Sequence, residues 1–295
     1  GPDALGLKQG GLGATLRRLL YGREDLAMVR PYGVFASGSK IYVADPGQRV
    51  VHVFDRGSNR YDRLLAPDTV SFLSPMVVAV DPQGSILVSD SQRGTVLVFD
   101  SNLRFLTTFG SEEGLERPTG LVCAAERVYV VDTAGHRVLV YRRDGRANHY
   151  LFAFGSRGTV EGMFNFPVDI AVSNKGQVYV NDSMNFRIQV FDADGRFLRV
   201  IGSSGDSTGH FQRSKGIALD SDGNLYVADA LADTVQIFDR DGRFLLNFGA
   251  AGKADGEFWI PAGIAVDEQD RIYVADSYNA RVQIFQYEKE VIDEQ

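Results

Sequence analysis

The chain has 295 residues, 44% hydrophobic and 23% charged, with 32 glycines. That is long enough to bury a large core and too apolar for a disordered chain or a fibre. Lys and Arg number 31 against 38 Asp and Glu, a formal net charge of -7, which argues against a dedicated nucleic-acid binder. No apolar run reaches the roughly 18 residues that a helix needs to cross a bilayer, and the lone Cys123 cannot form an internal disulfide.

Gly1-Pro2 shows no basic or apolar leader pattern and reads as the remnant of a cleaved tag, which leaves a removed leader or anchor open. Residues 1–15, with Gly10, Gly11 and Gly13, read as a flexible lead-in. The ordered domain is expected over 16–287, and 288–295 reads as a charged, frayed tail.

Between these ends the chain repeats itself. Six apolar runs end in Asp: Ile41 to Asp45, Ile86 to Asp90, Val128 to Asp132, Val178 to Asp182, Leu225 to Asp229 and Ile272 to Asp276. Nine residues after each Asp stands an aromatic: Phe54, Phe99, Tyr141, Phe191, Phe238 and Phe285. Each unit divides into four short strands rich in β-branched and aromatic residues. The first follows a Pro in five units, the second is the run ending in Asp, the third alternates, and the fourth ends in aromatic-Gly or Ile-Gly. Four strands per unit of about 40–50 residues predict an all-β, six-bladed β-propeller of four-stranded antiparallel blades. The sixth unit lacks a fourth strand, whereas Leu16 to Gly22 reads as a fourth strand with no unit before it. That segment is therefore expected to complete the last blade and close the ring.

Ile272-Tyr273-Val274-Ala275-Asp276-Ser277-Tyr278-Asn279-Ala280-Arg281-Val282, and its counterpart Val178 to Ile188, resemble the NHL repeat family of six-bladed propellers. The Asp-x4-Arg element is present at Arg137, Arg187 and Arg281 and replaced by Val50, Thr95 and Thr234 elsewhere. The resemblance covers about residues 16–287; it implies a fold with high specificity and a function with almost none.

The six repeated aspartates read as architecture, because a site would break the symmetry; each is expected to accept backbone N–H groups of a turn and, where an Arg follows, to pair with it. Asp-x-Asp-Gly at Asp192, Asp220 and Asp239 lacks the sixth-position Gly and twelfth-position Glu of an EF-hand, and reads as hairpin turns. His52, His136, His149 and His210 match no local zinc spacing. His52 is expected on a third strand and His149 in a turn on the opposite face from His136 and His210. Cys123 reads as a small core residue.

Residues that depart from the repeat are the candidate site. Phe164, Phe211 and Phe258 recur and are assigned to blade packing, whereas Tyr32, Phe166, Phe186, Trp259 and Tyr278 belong to single blades. All four methionines (Met28, Met76, Met163 and Met184) fall in the same loops or at the channel mouth. Asp169 replaces Gly33, Val77, Gly120, Gly216 and Gly263 at the start of the innermost strand, with Lys215 as a candidate partner. The loops before the first strands sum to -4 and those after the repeated Asp to +4, a balance that disfavours phosphate-backbone binding.

The expected function is a non-enzymatic module presenting one loop face to a protein or small ligand. The partner-binding residues read from the sequence are Tyr32, Met76, Phe166, Asp169, Met184, Phe186, Lys215, Trp259 and Tyr278. The alternative is a metal-assisted lyase or hydrolase at the channel mouth, its metal drawn from Asp169, His136 and His210; some lyases of the resembled family use histidine-bound zinc there. No cofactor is expected beyond a metal ion near the channel. A monomeric, periplasmic or extracellular bacterial domain is the expected setting.

Overall fold

The structure, a computed structural model, describes residues 27–145 and 147–286. Blade 1 is β1 (Gly33–Ser37), β2 (Lys40–Asp45), β3 (Val50–Asp55) and β4 (Arg60–Leu64). Blade 2 is β5 (Pro75–Val80), β6 (Ile86–Asp90), β7 (Thr95–Phe99) and β8 (Phe105–Phe109). Blade 3 is β9 (Pro118–Ala124), β10 (Arg127–Asp132), β11 (Arg137–Asp144) and β12 (Ala147–Phe154). Blade 4 is β13 (Asp169–Val172), β14 (Val178–Asp182), β15 (Arg187–Phe191) and β16 (Phe197–Ile201). Blade 5 is β17 (Ser214–Leu219), β18 (Leu225–Asp229), β19 (Thr234–Phe238) and β20 (Phe244–Phe248). Blade 6 is β21 (Pro261–Val266), β22 (Arg271–Asp276) and β23 (Arg281–Gln286).

Every sheet runs in sequence order and is antiparallel. Among the described residues blade 6 has three strands; Leu16 to Gly22, the segment expected to complete it, lies outside them. Register repeats with the sequence. Each repeated Asp faces the residue five positions on, as in Asp45↔Val50, Asp132↔Arg137 and Asp276↔Arg281. The intervening turn puts its fourth residue in the left-handed region, at Arg49, Gly94, His136, Phe186, Asp233 and Ala280. Only one of these is glycine, so the turn is held by its surroundings and not by backbone freedom.

The core lies between blades, with each hydrophobic cluster drawing on two neighbouring sheets. One side chain per blade wedges each seam: Met28, Phe72, Leu115, Phe164, Phe211 and Phe258, each three residues before the Pro or Ser that leads into its inner strand and 6% exposed or less. The sequence identifies the last three wedges by their shared Phe. Met28 lies in the loop before β1, as expected, and its side chain is the blade 1 wedge, because an adaptable apolar chain fills the same gap.

The seam between blades 6 and 1 closes the ring. Ser277 Oγ donates to Pro31 O at 2.8 Å, and Gly263 N–H donates to Tyr32 O at 2.7 Å. At Gly33, Gly120, Gly216 and Gly263 an added Cβ would collide with backbone of the next blade, so the inner strands approach main chain to main chain.

His149 lies on β12, not in a turn, because the blade 3 hairpin is longer: β11 and β12 pair as far as Asp144↔Ala147. His52 lies on β3 and is fully buried. Cys123 on β9 is partly buried beside the seam of blades 2 and 3, where burial pushes its thiol up to about 12. The carboxylates of Asp192 and Asp239 each accept two backbone N–H groups of their own hairpin turns, and that of Asp220 accepts the Asn224 N–H.

Candidate functional site

The loops before the inner strands and those after the repeated aspartates share one face, tied together by the six carboxylates. All six are fully buried. Asp45 accepts the N–H groups of Val29 and Arg30, Asp90 those of Leu73 and Ser74, and Asp132 those of Glu116 and Arg117. Asp229 accepts those of Gln212 and Arg213, Asp182 that of Asn165, and Asp276 that of Trp259. Where Arg follows, its Nε reaches the carboxylate at 3.2 Å (Arg137), 2.9 Å (Arg187) and 2.8 Å (Arg281). The expected turn clamp is thus present, and it also reaches back across the blade to the preceding loop. Such charge-assisted bonds satisfy a buried carboxylate fully enough that none is left over for a metal.

In blades 4 and 6 the residue just before the inner-strand Pro is itself left-handed: Phe166 at φ 49° and Ile260 at φ 53°. Its N–H is caught by the turn of the preceding blade, Phe166 by His136 Nδ1 at 3.1 Å and Ile260 by Asp233 Oδ1 at 2.7 Å. His136 therefore accepts through Nδ1, and its ring centroid lies 4.5 Å from that of Phe166 with the planes tilted by 54°. It is a clasp between blades. His210 bonds locally, with Nδ1 3.2 Å from Ser207 Oγ.

A cavity of about 450 Å³ opens at the channel mouth. Five residues singled out from the sequence line it together: Tyr32, Met76, Phe166, Met184 and Lys215. Arg117 and Arg213, which sequence reasoning missed, line it too, with hydroxyls from Ser91, Thr119, Thr133 and Ser183. Those hydroxyls face inward: Thr119 joins Thr133 and the Val168 carbonyl at 2.7 and 2.8 Å, and Ser183 donates to Ser214 O at 2.8 Å. The missed arginines carry a readable signal, since Arg30, Arg117 and Arg213 each directly precede the inner-strand Pro or Ser in blades 1, 3 and 5.

Asp169 begins β13 at the channel wall. Its Oδ2 accepts the Ile217 N–H of blade 5 at 2.9 Å, and burial, outweighing this bond, pushes the carboxyl up to about 7. It makes no ion pair with Lys215 among the described residues, because its acceptor is spent on the neighbouring backbone. Burial, then the Arg213 charge, lowers the Lys215 pKa. Burial, then the Asp169 charge, raises that of the Tyr32 phenol.

The other three candidates lie outside this cavity's wall. Phe186 is half-buried against the seam of blades 4 and 5. Trp259 and Tyr278 are 42% and 48% exposed and pack with ring centroids 5.6 Å apart. Lys253 lies 5.1 Å over the Trp259 ring, and the Arg30 guanidinium 5.5 Å over the Tyr278 ring. The expected metal donors Asp169, His136 and His210 do not assemble: among the described residues no three His, Cys, Asp or Glu side chains are grouped to hold a metal. No described helix is long and apolar enough to cross a membrane.

Five four-stranded sheets and a sixth with three described strands, set around a channel with a cavity at the loop face, define a six-bladed β-propeller, and the NHL repeat profile matches residues 258–285 of it. The chain belongs to the SMP-30/Gluconolactonase/LRE-like family, whose profile matches residues 33–250. Human E3 ubiquitin-protein ligase NHLRC1 is 34% identical over 96 residues, 32% of this chain and 24% of that protein. Protein brain tumor of Drosophila melanogaster is 28% identical over 137 residues, 43% of this chain and 12% of that protein. The matches thus span about a quarter or less of these relatives' lengths. The solved structure of XC5397, a gluconolactonase from Xanthomonas campestris, superposes with TM-score 0.65 at 17% identity, covering 88% of this chain and 86% of that one. A likeness at that identity is one of fold.

Proposed function

We propose that the protein is a non-enzymatic interaction module whose loop face binds a partner protein. The observation that carries this reading is the exposed Trp259–Tyr278 pair, capped at both ends by Lys253 and Arg30. Rigid aromatics with adjacent cations are the groups that most often anchor protein interfaces. Val29, Val160, Met163 and Leu231 add exposed apolar surface on loops of the same face. The NHL-repeat relatives, a ubiquitin ligase and Protein brain tumor, are consistent with such a module. Quantitative affinity capture compares the wild type with Trp259→Ala/Tyr278→Ala, each checked for folding by circular dichroism. Proteins retained by the wild type and lost by the folded double variant support the reading; an unchanged set of retained proteins overturns it.

A second reading, a lactone hydrolase or lyase, draws on the family match and the gluconolactonase neighbour. The residues at this mouth do not fit a metal: its wall is lined by Arg117, Arg213 and Lys215, and its nearest carboxylate, Asp169, is bonded to backbone. Lactone turnover that depends on added calcium or zinc and is lost in Asp169→Asn would favour this reading over the first.

A further inference from the structure

We infer that the channel mouth is a binding site for a small oxyanion, a carboxylate or phosphate group, held by Arg117, Arg213 and Lys215. The inference rests on the reading of the loop face as a binding face and names a ligand class for the cavity at its centre.

Three observations carry it. First, Arg117 and Arg213 occupy the same position in the repeat, directly before the inner strand, in blades 3 and 5, and Arg30 holds that position in blade 1. Cations thus alternate at this repeat position while Ser74, Phe166 and Ile260 fill the blades between; Arg117 and Arg213 line the cavity, and Arg30 lies over the Tyr278 ring. Second, none of the three lining cations pairs with a carboxylate among the described residues. Arg117 lies 5.6 Å from the Phe166 ring centroid, and Arg213 Nη1 contacts Met184 Sδ at 2.9 Å. This contrasts with the repeat arginines Arg137, Arg187 and Arg281, each bonded to its buried Asp. Like charges gathered in a concave site without a counterion cost energy that an anion would recover. Third, the Ser91, Thr119, Thr133 and Ser183 hydroxyls there bond the protein itself, which leaves the Tyr32 phenol and the three cations to meet a ligand. No carboxylate lines the cavity, and Asp169 on β13 is turned to the Ile217 N–H. Guanidinium forks suit oxyanions in a two-point grip. A volume of about 450 Å³ suits a small molecule, and Met76, Phe166 and Met184 supply apolar wall for its carbon skeleton. The summed loop charge conceals this, because the acidic residues Glu112, Glu113 and Glu116 counted with Arg117 do not line the cavity.

The test is isothermal titration calorimetry on the full chain at low salt, with citrate and inorganic phosphate as separate probes. Saturable binding that weakens as sodium chloride rises is expected for at least one probe. Arg117→Ala and Arg213→Ala should each weaken it about tenfold or more, Arg213→Lys less, and Arg243→Ala, in a hairpin turn at the far face, not at all. Binding of citrate alone assigns a carboxylate ligand, and of phosphate alone a phosphate ligand. No heat with either probe at millimolar concentration, or equal binding by a folded Arg117→Ala/Arg213→Ala double variant, overturns the inference. The capture experiment with Trp259→Ala/Tyr278→Ala reads a different surface, so failure of either leaves the other standing.

Discussion

Two rings of residues lie side by side on the loop face and behave oppositely. The outer ring, the six aspartates that end the second strands, is the same residue in every blade, fully buried and fully bonded. The inner ring, the residues just before the inner strands, reads Arg30, Ser74, Arg117, Phe166, Arg213 and Ile260. Its arginines have no carboxylate partner, and two of its members hold left-handed backbone. Sixfold identity marks what the fold requires. Broken symmetry a few ångströms away marks where chemistry is free to vary.

The contrast can be broken most severely at the outer ring. Asp182 accepts from Asn165 N, Asn185 Nδ2, Arg187 Nε and Gln189 Nε2. Asp182→Ala removes one acceptor from each of these donors and the counterion of the mostly buried Arg187, and should cost about 3–5 kcal/mol in denaturant unfolding. A loss under 1 kcal/mol would show that the carboxylates are not structural.

Asp169 belongs to neither ring and should show it through pH. Its carboxyl titrates near 7 when folded and near the ordinary 3.8 when unfolded, so between about pH 4 and 7 the folded state keeps the proton the unfolded state has released. Stability then falls as pH rises through that window. Asp169→Asn should therefore be more stable than the wild type by roughly 1–3 kcal/mol at pH 8 and nearly equal to it at pH 4. Thermal melts at the two pH values check this; an equal difference at both would refute it.

Smaller effects are expected at the inner ring. Ile260 is β-branched at φ 53°, a conformation that costs an L-residue about 1–2 kcal/mol. Ile260→Asn keeps the N–H bond to Asp233 and should stabilise by about 0.5–1 kcal/mol. Arg117→Gln should change stability by less than about 0.5 kcal/mol, since the side chain serves no fold contact beyond the Phe166 ring. A large loss there would merge the two rings into one structural feature.

The blade count, the order of strands within a blade and the clamp role of the aspartates were legible because each rests on periodicity, whereas the longer blade 3 hairpin that carries His149 departs from that period. Tyr32 and Phe166 were legible as departures from it, Met76 and Met184 as adaptable side chains in the loops, and Lys215 only as a candidate partner of Asp169. Arg117 and Arg213 were not, because a net loop charge averages cations at the mouth with acids away from it. The Asp169–Lys215 pair failed for a related reason. Sequence places two opposite charges near one channel, but only the packing reveals that an Ile217 N–H reaches the carboxylate first. His136 resembled a ligand candidate until the left-handed Phe166 gave its Nδ1 an N–H to accept.

The aspartate clamps grip Arg30, Ser74, Arg117 and Arg213 by their backbone N–H alone. A clamp that ignores the side chain makes the mouth a set of interchangeable sockets: at these four positions the residue can be rewritten without disturbing the frame. One ring could thereby be retuned from ligand to ligand by a handful of substitutions, each nearly neutral to folding, which is how a single architecture comes to serve many recognitions.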